Sequence, residues 1–360
     1  MEATLSISKG KKKEKSLKES TFYQDFKDTL QNAKRILLST HKLPDGDGLG
    51  AEAALFHYLK RARKACRVYN PDPLPKRYGF LDPKENILMG PGQIELWDTC
   101  DLWIIVDTND PRRIGEEMWG DLVLRSKKII FLDHHTAIPE LVEQNKYPPH
   151  CQVLADTQSG SIGEMLYEIF NDLQYTKINK DVAQGLYTSV MTDTNSFRYA
   201  RTTPLSHRIA AEMIELGVNP EEIYQNIYSS KEVSHIKLLG HTLMNVKTTE
   251  DGRVAWLEMP LDLRQEYRAS SDDTQSFLNL LLLLKDADIV CLFREEGDGE
   301  VRISMRSKGK AAINTVAMEF GGGGHEFAAG MAIGTSLDKA VESVISALKK
   351  ALDQFDRFGK

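Results

Sequence analysis

Long apolar runs are missing from this sequence. The longest, Leu280–Leu284 with Phe277 and Leu278 just ahead of it, falls far short of the roughly 20 residues that span a bilayer. The N-terminus carries charges with no apolar core behind them, so a secretory signal is not expected. Paired cysteines are missing too: Cys66, Cys100, Cys151 and Cys291 stand apart, with no CxxC among them. That scatter argues against a disulfide framework and suits reduced thiols in a cytoplasmic protein. An excess of positive charge is also lacking. A net charge of −6 argues against a broad basic face that coats long nucleic acid, but it leaves room for a local pocket that takes a few phosphates.

What is present describes a globular chain. Hydrophobic residues make up 41% and mean hydropathy is −0.38, and 360 residues are enough for two domains. Basic residues concentrate in two places. Lys9, Lys11, Lys12, Lys13, Lys15 and Lys18 lie in a stretch, residues 1–20, almost free of apolar side chains, which reads as a disordered, solvated tail. Lys60, Arg61, Arg63, Lys64 and Arg67 fall at an expected helix end, where positive charge complements the helix dipole.

From about Thr21 the pattern is α/β. Strands are expected at 35–39, 67–69, 102–106, 128–132 and 152–155, with helices between them, notably 48–63 and 162–173. Such alternation implies a mostly parallel sheet with helices on both faces. Helical periodicity dominates from Asp181 to about Met244, with Gly217 and Pro220 as punctuation. A second α/β segment starts near Arg253, with strands at 254–259, 289–294 and 301–305 and a tight turn at Asp298-Gly299. A glycine run at 321–324 precedes a closing helix at 336–355. The expected organisation is a catalytic domain over 21–215, a helical connector over 216–245, and a smaller C-terminal α/β domain over 246–356 that forms a cleft with the first.

Four acidic and histidine clusters mark the first domain. His41-Lys-Leu-Pro-Asp45-Gly-Asp47 follows the first strand, Asp107 ends the strand at 102–106, Asp133-His134-His135 ends the strand at 128–132, and Asp193 ends a helix. Each alone has a plain explanation, because Asp-Gly-Asp-Gly makes turns and Asp after a strand caps helices. Together they converge on the sheet edge where open parallel sheets bind ligands. Carboxylates gathered that closely repel unless cations hold them. Mixed Asp and His donors without Cys suit Mn²⁺.

These residues resemble the signature of the DHH phosphoesterases, named for the third cluster. The resemblance runs from about Phe22 to about Phe355. The second domain is similar to the DHH-associated C-terminal domain in Val301-Arg-Ile-Ser-Met-Arg-Ser307, Gly321-Gly-Gly-Gly-His325 and Ala328-Ala-Gly330. Length and the lack of added segments look most like the compact nanoRNase/pAp phosphatase group; exonucleases of the RecJ type share the motifs but are longer. The resemblance implies two ions, one held by His41, Asp45 and Asp107, the other by Asp47, Asp107, His134 and Asp193, with Asp107 bridging. It makes His135 the candidate to contact the scissile phosphate or protonate the leaving oxygen, and Asp133 the residue that orients its neighbours. Two positions depart from the pattern. Asn195 stands where many relatives have Gly, and Ile162 replaces a small polar residue ahead of a helix that Ser161 can cap.

In the second domain, Gly322, Gly323 and Gly324 can bring backbone N–H groups close to an anion. With His325, Ser304 and Arg306 they form the candidate grip for a terminal phosphate or base. The expected function is hydrolysis of short RNA or DNA oligonucleotides to mononucleotides, with removal of the 3′-phosphate of pAp as a second activity. Rival expectations are a phosphodiesterase for cyclic dinucleotides or pApA, a nucleotide-binding protein without turnover, and a RecJ-like exonuclease. Neither a membrane nor long duplex nucleic acid is expected as a partner, and a homodimer is left open.

Overall fold

Each central strand of the first sheet is apolar on both faces, and each face has its own core. In Leu102–Val106, Leu102, Ile104 and Val106 enter one cluster while Trp103 and Ile105 enter the other. Ile129–Asp133 divides the same way, with Ile130 and Leu132 against Ile129 and Phe131. A strand buried on both sides must read as an unbroken apolar run, and this one does.

The computed structural model describes residues 21–85, 87–91, 97–135, 147–229, 232–268 and 277–358; the basic tail lies outside them. By internal contacts the chain divides into two units, Met1–Ser230 and Lys231–Lys360. The first unit begins with α1 (Thr21–Asn32), β1 (Arg35–Ser39), α2 (Gly46–Arg61), β2 (Ala65–Tyr69), β3 (Leu88–Met89) and β4 (Leu102–Val106). It continues with α3 (Glu116–Arg125), β5 (Ile129–Asp133), β6 (Cys151–Ala155), α4 (Ile162–Leu173), α5 (Lys180–Asp193), α6 (Pro204–Glu215) and α7 (Pro220–Tyr228). Its six strands run in the order β3-β2-β1-β4-β5-β6, and every pairing is parallel. The chain therefore winds outward from β1, returns to β4 beside it, and winds the other way. The crevice beyond the C-terminal ends of β1 and β4 is the switch point, where a doubly wound sheet binds its ligand.

One helix crossing sets that crevice. A Cβ added to Gly50 of α2 would lie 2.7 Å from the Gly185 carbonyl oxygen and the Ser189 nitrogen of α5. One added to Gly185 would lie 2.6 Å from the Gly50 oxygen and the Ala54 nitrogen. Only glycine permits this approach, and it brings the start of α2, with Asp47, beside the end of α5, with Asp193.

The second unit contains α8 (Val233–Met244), β7 (Lys247–Thr248), β8 (Val254–Met259), α9 (Leu261–Glu266), α10 (Phe277–Leu281) and β9 (Ile289–Glu295). After a short 3₁₀ turn at Gly297–Gly299, with Gly299 at φ 74°, come β10 (Glu300–Ser307), α11 (Ile313–Glu319), β11 (Gly323–His325), β12 (Ala328–Gly334) and α12 (Leu337–Phe358). The sheet order is β11-β12-β10-β9-β8-β7, with only β8 and β9 parallel. On β10, Val301, Ile303 and Met305 are buried while Ser304 and Arg306 are half-buried on the opposite face. Residues 216–245 fall in both units, α7 in the first and α8 in the second. Among the described residues no helix is long and apolar enough to cross a membrane.

Gly50→Ala should lower unfolding stability by about 1–3 kcal/mol, as overpacking does. Urea unfolding followed by circular dichroism checks it; an unchanged midpoint would mean that the α2–α5 crossing tolerates a methyl group.

Candidate metal centre

Backbone geometry at the strand ends aims the donors. Beyond β4 the chain turns sharply, with Asp107 at φ 63°, a left-handed conformation that Asp tolerates better than most residues. The Asp107 N–H donates to the Leu132 carbonyl at 3.1 Å. Its side chain faces two ways: Oδ2 lies 3.3 Å from His41 Nε2 and Oδ1 lies 3.7 Å from His134 Nε2. His134 Nε2 also lies 3.3 Å from Asp47 Oδ2 and 3.5 Å from Asp193 Oδ2. Donor atoms of His41, Asp45 and Asp107 fall within 4.8 Å of one another, as do those of Asp47, His134 and Asp193. The six candidate side chains of the sequence are thus gathered at the switch point, and donor atoms of Asp107, Asp133, His134 and His135 lie equally close together.

Backbone carbonyls fix the His41 and His134 rings. His41 Nδ1 lies 2.6 Å from the Lys42 carbonyl and His134 Nδ1 lies 3.3 Å from the Ser159 carbonyl. A carbonyl only accepts, so both Nδ1 atoms carry hydrogen and both Nε2 atoms face the carboxylates. His134 Nε2 is buried with no hydrogen-bond partner, an orphan that a cation set among Asp47, Asp107 and Asp193 would satisfy. The donor set fits divalent metal ions on that ground.

The remaining residues are held by hydrogen bonds, Asp45 while exposed to solvent and the others at least partly buried. Asp45 Oδ1 caps α2, accepting from the Asp47 and Gly48 N–H groups at 3.0 and 3.3 Å. Asp47 accepts from the Ile162 N–H at 3.1 Å and from the Ser189 hydroxyl, so the start of α4 holds a carboxylate of the chain itself while Ser161 caps that helix. Asp193 Oδ2 accepts from Arg201 Nη1 at 2.7 Å. Asp133 is fully buried and accepts from the His134 and His135 N–H groups, from His135 Nδ1 at 2.8 Å, and from Asn109 at 2.6 Å. Asn195 adopts φ 49°, the left-handed turn that a glycine would make. A cavity of about 400 Å³ lined by His134, Ser159, Arg201 and Thr202 adjoins the cluster.

Sequence reasoning did not find Ser189, Asn109, Arg201 or Glu52. Ser189 stands four residues before Asp193, on the same helical face, so that spacing was a usable signal. Glu52 gave none. It is buried on α2, accepts from Asn70 Nδ2 at 2.8 Å, and leaves Oε1 without a partner. Asn70 in turn accepts from the Thr40 N–H at 2.8 Å, next to His41.

The electrostatics follow from packing acids together. Burial pushes the Asp107 carboxyl up, but the nearby imidazoles of His134 and His41 outweigh it and hold the group well below the usual range. Burial pulls His134 down, and the closeness of the Asp107 and Asp47 carboxylates more than reverses this, so it keeps a proton well above the ordinary value. Burial and the neighbouring Asp47 charge push Asp193 up to about 6. Protons occupy this cluster wherever cations are not there to replace them.

The grip residues lie in the second unit. Arg306 pairs in register with Ala328, which pairs with His325; Ser304 pairs with Gly330, which pairs with Gly323. Gly324 falls in the row between them, opposite Ala329, which pairs with Met305. The side chain of His325 lies outside what is described. The glycines also serve the sheet, since a Cβ on Gly322 would lie 2.3 Å from the Gly330 oxygen and one on Gly324 2.5 Å from the Ala328 oxygen.

A parallel doubly wound sheet with this donor set at its switch point defines an α/β protein built to hold divalent metal. The chain carries a DHH family N-terminal domain, matched by residues 35–190, and a DHHA1 domain, matched by residues 253–355. It is 28% identical to the bifunctional oligoribonuclease and PAP phosphatase NrnA of Thermus thermophilus, over 88% of this chain and 90% of that one. Against the protein of the same name from Bacillus subtilis it is 26% identical, over 83% and 89%. The crystal structure of an exopolyphosphatase-related protein from Bacteroides fragilis superposes with a TM-score of 0.81 at 25% identity, covering 92% of this chain and 95% of that one.

Glu52 gives a pH test. Burial pushes its carboxyl up to about 8 against an ordinary 4.5, so the folded state holds a proton that the unfolded chain releases. Wild-type stability should therefore fall as pH rises between these values and level off above the upper one. Glu52→Gln removes this dependence, so the variant's Tm should gain on the wild type from pH 5 to pH 8. A difference in Tm that stays constant across that range would mean Glu52 is not buried as an acid.

Proposed function

We propose that this chain is a manganese-dependent phosphoesterase that hydrolyses oligonucleotides of a few residues to mononucleotides and removes the 3′-phosphate of pAp. The observation that carries the reading is Asp107, with one carboxylate oxygen toward His41 and the other toward His134. In this reading His41, Asp45 and Asp107 hold one ion, and Asp47, Asp107, His134 and Asp193 hold the other. Two divalent ions supply a Lewis acid for phosphoryl oxygens and an activated water at neutral pH. Oxygen and imidazole donors without thiolate favour Mn²⁺.

The chain's own groups do the rest. Burial pulls the His135 imidazole down, but its bond to Asp133 and the charges of Asp133 and Asp107 raise it overall. With Nδ1 fixed on Asp133, a protonated His135 presents its Nε2–H as the acid for the departing oxygen. Asp133, saturated by its own partners, keeps His134 and His135 in place. In the second unit Arg306, Ser304, the backbone of Gly322, Gly323 and Gly324, and His325 grip a terminal phosphate or base, and an arginine fork suits that task. The likeness to relatives named as oligoribonucleases and PAP phosphatases supports this choice of substrate.

With a net charge of −6, affinity rests on a few groups near the metals, so added nucleotides contribute little. In an assay with Mn²⁺ over dinucleotides, pAp, pApA, a cyclic dinucleotide and a long single strand, kcat/KM should be highest on dinucleotides and fall steeply with length. A rate that rises with length, or a steep salt dependence, would point to a RecJ-like exonuclease. Preference for the cyclic substrate would point to a cyclic-dinucleotide phosphodiesterase, and Mn²⁺ binding without any turnover would overturn the enzyme reading.

A further inference from the structure

Three tyrosines stand exposed in the first unit: Tyr199 is 44%, Tyr224 48% and Tyr228 38% accessible. Tyr224 and Tyr228 sit four residues apart on α7, one above the other on its face, with ring centroids 4.8 Å apart and planes inclined by 47°. Large aromatic rings left in water together are unusual unless something covers them. α7 packs on the short 3₁₀ turn Lys76–Leu81, which carries Arg77 and the buried Tyr78. Burial pushes the Tyr78 hydroxyl up, and the ionisable groups it feels are Arg77, Asp45 and Tyr228. The ionisable groups that Tyr228 feels are Tyr224, Arg77, Tyr199 and Arg198.

Two features place the tyrosines on the same side of the first unit as the metal centre. α7 packs on the turn Lys76–Leu81, whose Tyr78 feels the charges of both Asp45 and Tyr228. The chain itself also runs directly from Asp193, at the end of α5, to Arg198 and Tyr199. Arg77 and Arg198 form no ion pair with a carboxylate among the described residues; the Arg198 guanidinium bonds to Asn195, at 3.0 and 3.1 Å. The patch therefore combines aromatic faces with positive charge that the protein leaves uncompensated.

We propose that Tyr224 and Tyr228, flanked by Tyr199, Arg77 and Arg198, form a stacking platform for a nucleobase of the substrate whose scissile phosphate lies at the Asp107 cluster. The proposal rests on the phosphoesterase reading and deepens it. Every base has a π face, so a tyrosine platform binds bases with little regard to sequence, and arginine adds cation–π attraction and charge for the backbone. A small phosphate ester without a base gains nothing from such a surface. The platform thus makes the enzyme select nucleotides through the first unit, independently of the grip in the second.

The test compares kcat/KM for a dinucleotide with kcat/KM for the same phosphodiester carrying abasic sugars. It uses full-length, Mn²⁺-loaded wild type, Tyr224→Ala, Tyr228→Ala and Tyr228→Phe. The wild type should prefer the dinucleotide, and either alanine variant should lower that ratio by about 5- to 150-fold, the range that base–aromatic stacking commands. Tyr228→Phe should restore it, which a hydroxyl-dependent or merely structural role would not. A ratio unchanged by both alanine variants, or a wild type indifferent to the base, overturns the platform and leaves the phosphoesterase reading intact. A wild type that cleaves neither substrate overturns that reading and the platform with it.

Discussion

Asp47, Asp107 and Asp193 point at a single histidine nitrogen, His134 Nε2, from 3.3 to 3.7 Å. Three carboxylates that close repel one another, and no exposed loop would keep them there without help. The rest of the first unit can be understood as the means of imposing this arrangement. β4 and β5 end side by side, so the chain leaves the sheet at Asp107 and at Asp133 in neighbouring positions. α2 and α5 cross at glycine distance, so the ends that carry Asp47 and Asp193 cannot move apart. The left-handed turn at Asp107 adds local strain that the surrounding sheet holds in place.

The polar groups behind the cluster act in the same direction. Ser189 and the Ile162 N–H fix Asp47, Asn109 fixes Asp133, and backbone carbonyls fix the Nδ1 atoms of His41 and His134. Each donor therefore reaches the centre with one rotamer and one tautomer already chosen. Such preorganisation lets a site bind metal without paying to order its own ligands. Electrostatic repulsion is accepted in the protein so that it can be relieved by cations.

Much of this was legible in the sequence, because the relevant signals are local. β1 and β4 occupy the stretches expected for them, 35–39 and 102–106, since a short apolar run such as Ile36–Leu38 or Leu102–Val106 has few other uses in an α/β chain. The donors could be nominated because strand-end Asp and His are unusual in such number. What escaped was short or non-local. β3 and β7 have two residues each, too few to show a period. The edge pairing of β11 was hidden in a glycine run, which reads as loop when its partner strand is unknown. The role of Glu52 depends on Asn70, a contact between separate elements that no spacing encodes. The proposed tyrosine platform draws on α7 and on the loop after Asp193, stretches that the sequence does not link.

The central claim is that Asp107 joins two metal sites into one centre. Electron paramagnetic resonance of the protein loaded with two equivalents of Mn²⁺ tests it most directly. Two ions bridged by one carboxylate, roughly 3.5–4 Å apart, are predicted to give an exchange-coupled spectrum in the wild type and isolated-ion lines in Asp107→Ala. A wild-type spectrum of isolated Mn²⁺ at full loading would contradict the account.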